Sequence, residues 1–365
     1  MAGRAESLDG LRGFAAVVVV FHHTINLCDL TLPTRVIVPP LDQLAFADWP
    51  GRLTLAILSG ASAVNIFFVL SGVVLMASLL RERLDIRAAG RFVVRRILRI
   101  YPALIVMVVT FGIASRISLP AMFGQPFSAF EILKNCLLLD YQVNGATWTL
   151  QVEMIMVPLI LIVAFLHRIF GPIAMVGFLI FSLGRLYGGA LFGMITMAMT
   201  LPAFALGVLI PTEVTRQAVA RLPSWFWAPA IVGIIVVQFS GLLRTGHGAL
   251  ASLVLSFVAV AVLFHLTPDA GLLARPFPRF LGRISYSLYL WHACVIYEVF
   301  PALQWAFTPQ RVQDHYLVFG LLYGLFVLAI CVPISMLSER WIERPFIEVG
   351  RKLFRPRNQV PAGAA

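Results

Sequence analysis

Residues 9–23 read Asp-Gly-Leu-Arg-Gly-Phe-Ala-Ala-Val-Val-Val-Val-Phe-His-His, and this stretch decides the fold of the chain. It places Asp9 and Arg12 at the start of an otherwise apolar helix, with His22 and His23 deep inside it. The eleven residues from Arg12 to His23 rise roughly 16 Å along an α-helix, which is half of a hydrocarbon core about 30 Å thick. Ionisable groups at that depth are costly and usually line a cavity or a pathway. The stretch therefore predicts a membrane helix that serves chemistry or transport.

Composition extends this prediction to the whole chain. Of its 365 residues, 60% are hydrophobic and 12% are charged. No soluble domain of that length could bury so much apolar surface, so we predict an all-α polytopic membrane protein. No small-residue cleavage site breaks the first apolar run, which we therefore interpret as a spanning helix and not as a signal peptide. The net charge of +11 comes from short arginine clusters between apolar runs, which indicates membrane topology and phosphate binding, not a DNA-binding face.

Ten apolar runs are long enough to cross a membrane, and we predict ten transmembrane helices. They cover residues 11–29, 53–80, 97–115, 147–166, 172–188, 191–210, 225–243, 248–266, 284–304 and 316–338. With the N-terminus inside, only seven of the 28 Lys and Arg residues fall on outer segments, so the positive-inside rule puts both termini in the cytoplasm. We predict a membrane domain at 1–345 and a basic C-terminal tail at 346–365, which we expect to be disordered.

The four cysteines indicate neither a metal site nor a disulfide framework. Cys28, Cys136, Cys294 and Cys331 show no Cys-x-x-Cys pairing and no clustering with histidine. We expect structural thiols, no metal ligands and no bound cofactor.

Arginines enter the third predicted helix in a regular pattern, Arg91-Phe-Val-Val-Arg-Arg-Ile-Leu-Arg-Ile-Tyr-Pro. Arg91, Arg95 and Arg99 recur every four residues, so their side chains stack on one helix face. Three stacked guanidinium groups repel one another unless an anion lies among them, and the fork geometry of arginine suits phosphate. An ordinary positive-inside cluster is the alternative, which explains the charge but not the single face. Both interpretations stay open at this point.

Two other helices carry polar groups at depth. Trp148 suits an interfacial position at the start of the fourth predicted helix, and Glu153 lies roughly 8 Å further in. With no basic residue nearby in sequence, Glu153 needs a partner from another helix. Counted from opposite faces, His23 and Glu153 reach similar depths, so we expect them to meet. The ninth helix begins Leu281-Gly-Arg-Ile-Ser-Tyr-Ser-Leu-Tyr-Leu-Trp-His, a polar stripe that predicts helix packing or cavity lining.

The two histidines of the first helix have a structural alternative. A histidine in a membrane helix can simply hydrogen-bond a neighbouring helix. Adjacent residues also point about 100° apart, so we expect only one of His22 and His23 to face the cavity on the side of Arg12.

Taken together, these motifs resemble acyltransferase family 3, the integral membrane O-acyltransferases that modify bacterial glycans and related small molecules. The matching segments occur in the family's order and cover nearly the whole chain. They are Asp-Gly-Leu-Arg at 9–12 with His23, Asn65-Ile-Phe-Phe-Val-Leu-Ser-Gly, Arg-Arg-Ile-Leu-Arg-Ile-Tyr-Pro at 95–102, Trp-Thr-Leu-x-x-Glu at 148–153, Gly282-Arg-Ile-Ser-Tyr-Ser-Leu-Tyr-Leu-Trp-His and Glu343-Arg-Pro-Phe.

The chain departs from the family pattern at two positions. The usual Trp-Ser-Leu is Trp-Thr-Leu here, which keeps the hydroxyl, and Met154 stands where a second acidic residue is common. Only Glu153 can therefore serve as the carboxylate of that motif. Some relatives carry an extracytoplasmic esterase-like domain as well, and we expect none here.

The resemblance implies acetyl-CoA, or a similar acyl-CoA, as a co-substrate from the cytoplasm. We predict that Arg95, Arg96 and Arg99 bind its phosphates and that Arg12 lies nearer the pantetheine path. By analogy with the family's essential histidine, His23 is the candidate general base, since histidine titrates near neutral pH. Glu153 would fix the imidazole tautomer, as a carboxylate does in triad sites. The remaining candidates for cavity lining or oxyanion stabilisation are Asp9, Asn65, Ser71, Trp148, Tyr286 and His292. Three of them, Ser71, Tyr286 and Asn65, are the candidate hydrogen-bond donors to the oxyanion.

The acceptor implied by the resemblance is a carbohydrate or glycoconjugate, with no role for nucleic acid. The same likeness implies the inner membrane of a bacterium. A covalent acyl-histidine intermediate remains an alternative to direct transfer. The rival function is a proton-coupled transporter that uses the same His and Glu in the membrane. A carrier has no need for a one-faced arginine stack, and the sequence shows no paired broken helices in two related halves.

Overall fold

The computed structural model describes residues 2–81, 83–117, 126–186, 188–242, 246–266 and 271–354, and these residues fold almost entirely into helices. The α-helices run, in chain order, as α1 (Ala2–Cys28), α2 (Trp49–Ile57), α3 (Gly60–Leu80), α4 (Ile86–Ile117), α5 (Ala129–Cys136), α6 (Trp148–Phe170), α7 (Ile173–Leu186), α8 (Ile195–Leu209), α9 (Glu213–Val219), α10 (Trp227–Ser240), α11 (Gly246–Leu266), α12 (Pro276–Phe307), α13 (Pro309–Asp314), α14 (Tyr316–Ser338) and α15 (Arg344–Leu353). The all-α class predicted from composition is confirmed.

Six helical segments of the described chain are long and apolar enough to cross a membrane. They are Glu6–Cys28, Phe46–Leu80, Ile86–Ile117, Gly145–Phe170, His247–Leu266 and Tyr316–Leu353. Helices α8 and α9 meet the same criterion only as a pair bent by 86°, so up to seven crossings are supported within the described residues. These helices support a multi-pass membrane protein, whereas the ten predicted crossings are not reached.

The remaining predicted runs fall on helices that are too short or too polar to cross by the same standard. Helices α7 and α10 have 14 residues each and α8 has 15. Their lengths are roughly 21–23 Å, less than a hydrocarbon core of about 30 Å. Helix α12 has 32 residues, but its polar stripe lowers its hydropathy. Apolar sequence continues past the ends of the short helices, which is why their runs suggested full crossings.

Helix α1 lies at the centre of the bundle, packed against α3, α12 and α14. A Cβ atom at Gly13 would lie 2.5 Å from the backbone nitrogen of Gly282, so these glycines allow α1 and α12 to touch. Gly320 of α14 similarly packs on Ile25, and its carbonyl accepts a hydrogen bond from the Thr24 hydroxyl at 2.9 Å. The polar residues of α1 therefore lie inside the bundle.

The predicted run 53–80 is two helices, and the break between them positions a histidine. The Ser59 side chain caps the start of α3 by accepting a hydrogen bond from a backbone N–H of its first turn. The preceding carbonyl, that of Leu58, accepts a hydrogen bond from Nδ1 of His22 at 3.0 Å. Gly60 packs directly on the same ring, since a Cβ there would lie 2.9 Å from Cγ of His22. The break thus fixes the His22 ring in place.

Candidate functional site

Three cavities follow one another through the bundle. The arginine cavity, about 1400 Å³ with its open mouth, lies where α3 ends and α4 begins. The central cavity, about 740 Å³, shares Val74, Arg96 and Arg99 with it. The histidine cavity, about 1930 Å³ with its mouth, shares Val64 and Tyr289 with the central cavity. The shared walls make the three cavities one candidate passage through the protein.

The arginine cavity concentrates positive charge. Helix α4 is continuous from Ile86 to Ile117, so the four-residue spacing keeps Arg91, Arg95 and Arg99 on one side, and all three line this cavity. Arg96 lines it as well, and Arg351 contributes from α15. An arginine cluster that faces a cavity fits an anion-binding site better than a topology signal spread along a surface.

The segment 346–354, assigned from sequence to the C-terminal tail, forms part of the wall of this cavity. It completes α15, which packs against α4, and the ring of Phe354 lies 5.8 Å from the Arg95 guanidinium carbon. Ile347, Arg351 and Phe354 all line the arginine cavity. The rest of the predicted tail, 355–365, lies outside the described residues. The basic charge of this segment suggested a solvated tail. In α15, however, the basic residues lie on one side of the helix and apolar residues lie on the other.

An ion pair between Arg96 and Glu153 occupies the central cavity. The Ser71 hydroxyl donates a hydrogen bond to the same carboxylate at 2.8 Å. The two charged side chains are 10% and 13% exposed, so they take most of their stabilisation from each other and from Ser71. Glu153 therefore finds its partner on α4. This differs from the predicted pairing with His23, which lines the histidine cavity and not the central one.

Other predicted residues surround this pair. Arg12 lines the central cavity and forms an ion pair with Asp9 at 3.2 Å. Tyr286 lines it too, but its hydroxyl donates a hydrogen bond to the carbonyl of Ile100 at 2.6 Å. Ser71 donates to the Glu153 carboxylate, so neither hydroxyl proton is free for an oxyanion. Two of the three predicted oxyanion donors are therefore engaged elsewhere.

The third predicted donor, Asn65, lies in the histidine cavity beside Trp148. Its side chain is half-buried and makes no hydrogen bond to another described residue. A free amide N–H₂ at a cavity wall can donate to a bound ligand. Asn65 is therefore the candidate oxyanion donor that the geometry favours.

Both histidines of α1 line the histidine cavity, and neither lines the central cavity, where Arg12 lies and where one of them was expected. His22 is held by its hydrogen bond to Leu58, and its own carbonyl accepts from Asn26 at 2.6 Å. His23 is exposed to the cavity and makes no hydrogen bond to the described residues. The sequence predicted that His23 would lie near the middle of the membrane. In the structure His23 lies five residues before the end of α1, nearer to that end than to the middle of the helix. His23 thus has both ring nitrogens free of the described residues, whereas His22 is held at Nδ1.

His292 lies fully buried behind His23, with 5.4 Å between the ring centroids. Its Nδ1 donates to the carbonyl of Tyr289 at 2.7 Å, which leaves Nε2 as an acceptor without a partner among the described residues. The predicted polar stripe of α12 therefore supports the His23 ring. Farther along, the buried Glu343 accepts a hydrogen bond from the Ser287 hydroxyl, which joins the closing motif to α12.

Sequence reasoning missed several cavity residues. Arg351 and Phe354 belong to the segment assigned to the tail. Apolar residues recur at helical spacing along that segment, and this repeat was the signal that could have identified a packed amphipathic helix. Asn26, Gln238 and Ser252 line the histidine cavity but occur singly in apolar helices, where nothing in sequence separates them from packing residues.

No metal site was predicted from the sequence. Within the described residues, His, Cys, Asp and Glu form no group of three that could hold a metal ion. The four cysteines are buried free thiols, as expected for structural residues.

Comparison with known proteins identifies the family. The chain belongs to acyltransferase family 3, whose model, described as an acyltransferase domain, matches residues 5–337. It is also 24% identical over 390 aligned positions to proteins of Staphylococcus aureus strains COL, MSSA476 and MRSA252, whose names give O-acetyltransferase as a provisional assignment. These matches cover 94% of the chain but only 58% of each relative, so the chain spans little more than half the length of the curated relatives it matches. No solved structure matches the chain.

Proposed function

We propose that this member of acyltransferase family 3 is an O-acyltransferase of the bacterial inner membrane that moves an acetyl group from acetyl-CoA to a hydroxyl of a sugar-containing acceptor. The observation that carries the proposal is a row of three neighbouring cavities, each sharing wall residues with the next, between a cluster of arginines and an unpaired imidazole. The arginine cavity suits an anionic acyl carrier, and the histidine cavity suits an acceptor hydroxyl that must lose a proton.

The donor nucleotide binds in the arginine cavity, from the cytoplasmic side. CoA carries a pyrophosphate and a 3′-phosphate, and arginine binds phosphate through two parallel N–H groups. Arg91, Arg95 and Arg99 face the cavity on one side, and Arg351 faces it from α15. The cytoplasmic orientation rests on the excess of Lys and Arg in the inner segments of the sequence.

The pantetheine arm extends through the central cavity, past Arg12 and the Arg96–Glu153 pair. Arg12 and His23 are separated by roughly 16 Å along α1, a distance that a flexible arm spans while the nucleotide stays with the arginines. Glu153 holds Arg96 in the wall of this passage. Its proposed role is therefore to position an arginine, in place of the predicted role on the His23 tautomer.

His23 acts as the general base on the acceptor hydroxyl. Its imidazole removes the proton as the hydroxyl oxygen attacks the thioester carbonyl carbon. The tetrahedral oxyanion accepts a hydrogen bond from the Asn65 amide. When the carbon–sulfur bond breaks, the protonated His23 returns the proton to the CoA thiolate, so an ester and free CoA leave the site. The alternative transporter needs His23 and Glu153 as one proton relay, and the Arg96–Glu153 pair takes the carboxylate out of it.

The donor assignment predicts how arginine variants change the kinetics. Arg95→Ala and Arg99→Ala should raise the KM for acetyl-CoA about tenfold or more and lower kcat less, because phosphate contacts are equal in the ground and transition states. Acetyl-dephospho-CoA should be a poorer donor than acetyl-CoA for the wild type. CoA release by the purified protein in nanodiscs, followed with a thiol reagent, measures both effects.

Arg87→Ala is the matched control, since Arg87 is exposed on the same helix and does not line the arginine cavity. It removes the same charge and should leave the donor KM unchanged. If the KM for acetyl-CoA is unchanged in the Arg95 and Arg99 variants at normal protein levels, the cluster only sets membrane topology and does not bind the donor. Failure of the wild type to release CoA with any acceptor would contradict the proposed function itself.

A further inference from the structure

The histidine cavity carries hydrogen-bonding groups in a largely apolar wall and no charged side chain among the described residues. Among the described residues that line it, none is Asp, Glu, Lys or Arg. The charged residues Arg12, Arg96 and Glu153 lie beyond Tyr289, in the central cavity. The two cavities therefore differ in charge although they share walls. Besides its histidines, the polar groups of the histidine cavity include the amides and hydroxyls of Asn26, Asn65, Thr196, Thr200, Gln238 and Ser252. Of these, Thr200 and Gln238 already donate hydrogen bonds to the Thr196 carbonyl and the Ser62 hydroxyl.

One arginine, Arg185, adjoins this wall in sequence. Its neighbour Leu186 lines the histidine cavity, but the Arg185 guanidinium donates to the carbonyls of Gly188 and Ala190, both at 2.9 Å. The arginine that adjoins this wall in sequence is thus bound to backbone.

Two polar atoms of the wall lack partners. Ser252 is 1% exposed, and its Oγ makes no hydrogen bond among the described residues. Oδ1 of Asn26 is likewise buried without a partner in the described chain, although its amide nitrogen donates to the carbonyl of His22. Buried polar groups normally find a partner, and the exceptions call for a ligand or another explanation. A ligand hydroxyl can donate to Asn26 and can pair with Ser252.

We infer that the acceptor held in the histidine cavity is an uncharged, hydroxyl-rich oligosaccharide segment, and that the cavity selects against anionic sugars. This inference rests on the proposed function and adds the charge class of its acceptor. A carboxylate or phosphate that entered this cavity would lose water and meet no lysine or arginine to replace it, which is unfavourable. Neutral hydroxyls lose little free energy when they leave water, because amides and hydroxyls on several helices replace their hydrogen bonds to water.

The size of the cavity and one aromatic ring support a segment of more than one sugar. Its enclosed volume of about 720 Å³ lies in the upper part of the roughly 300–1000 Å³ typical of a small-molecule site. Trp148 supplies an apolar surface in a wall that also carries many hydrogen-bonding groups. A chain of neutral sugars presents hydroxyls at its edges and C–H groups on its faces, so it fits both kinds of surface.

The test uses pairs of oligosaccharides that differ only in charge. Tetrasaccharides of glucose, galactose and N-acetylglucosamine that carry a C6 carboxylate on the terminal sugar are each compared with the counterpart in which that carboxylate is a neutral carboxamide, so that both members keep the same hydroxyls. CoA release and acetyl ester formation are measured with the full protein in nanodiscs at saturating acetyl-CoA. We expect at least one neutral member to have a kcat/KM tenfold or more above that of its anionic counterpart.

A cation placed in the wall should weaken this selectivity. Thr196→Arg, and separately Gln238→Lys, should narrow the preference for the neutral member to less than threefold, whereas Thr196→Gln should retain it. Using two sites keeps the test decisive if one variant does not fold. Equal use of both members by the wild type, preference for the anionic member, or use of neither would overturn the inference.

Measuring acetyl-CoA binding distinguishes a failure of the acceptor inference from a failure of the proposed function. If acetyl-CoA binds the wild type and is hydrolysed slowly without an acceptor, the donor half of the proposal holds and only the acceptor inference is at stake. If acetyl-CoA neither binds nor reacts, the proposed function fails first.

Discussion

The variant His23→Ala loses acyl transfer by a factor of roughly 10²–10⁴, the usual contribution of a positioned general base. The imidazole is exposed to the histidine cavity and hydrogen-bonded to none of the described residues, so its removal costs the structure little. We therefore expect normal insertion and a normal donor KM, with the loss confined to kcat. Single-turnover transfer from radiolabelled acetyl-CoA, at matched protein levels, measures the effect.

His22→Gln is the control for this prediction. The His22 ring also lines the cavity, but its Nδ1 is bound to the Leu58 carbonyl and its edge packs on Gly60. Glutamine can retain a donor to that carbonyl, so His22→Gln should keep far more activity than His23→Ala. An equal loss in the two variants would mean that the wrong face of α1 was assigned to catalysis.

The second large effect is expected at the Arg96–Glu153 pair. Glu153→Leu leaves the Arg96 guanidinium without its counter-charge at a site where the side chain is 10% exposed. Breaking a buried pair from one side costs about 3–5 kcal/mol, whereas replacing both partners with apolar residues is often neutral. Glu153→Leu should therefore lower the thermal unfolding temperature in detergent strongly, and the double variant Arg96→Leu/Glu153→Leu should recover most of the loss.

The exposed pair Glu213–Arg216 provides the contrast, because its side chains are 57% and 60% exposed. Glu213→Leu should change the unfolding temperature little, since exposed ion pairs contribute little. If Glu153 instead acted through His23, the double variant would remain as unstable as the single one, and the Arg96 assignment would be wrong.

The fold was largely predictable because lipid imposes simple rules on a helix. Length and hydropathy predicted α1, α3, α4, α6, α11 and α14 near their observed positions. The same rules failed where a helix depends on its neighbours. Helices α7 and α10 are too short to cross alone, and α12 keeps its polar stripe inside the bundle, so hydropathy could not tell crossings from packed segments there.

Sequence reasoning selected several residues that line the cavities but did not predict their pairings, and their roles stay predictions. Arg12, His23, Arg96, Glu153 and Tyr286 all line the connected cavities, as their depth and polarity suggested. Depth along a helix axis does not report rotation about that axis, however, so similar depths did not mean that His23 and Glu153 would meet. The partner of Glu153 came from an arginine stretch that the sequence assigned wholly to phosphate.

The central claim is that donor and acceptor reach one passage from opposite ends, and sidedness measures it most directly. Right-side-out and inside-out vesicles that contain the protein receive acetyl-CoA and a membrane-impermeant oligosaccharide on chosen sides. We predict transfer only with acetyl-CoA on the cytoplasmic face and the oligosaccharide on the other. Full transfer with both substrates supplied on the cytoplasmic face alone would contradict a passage open at both ends.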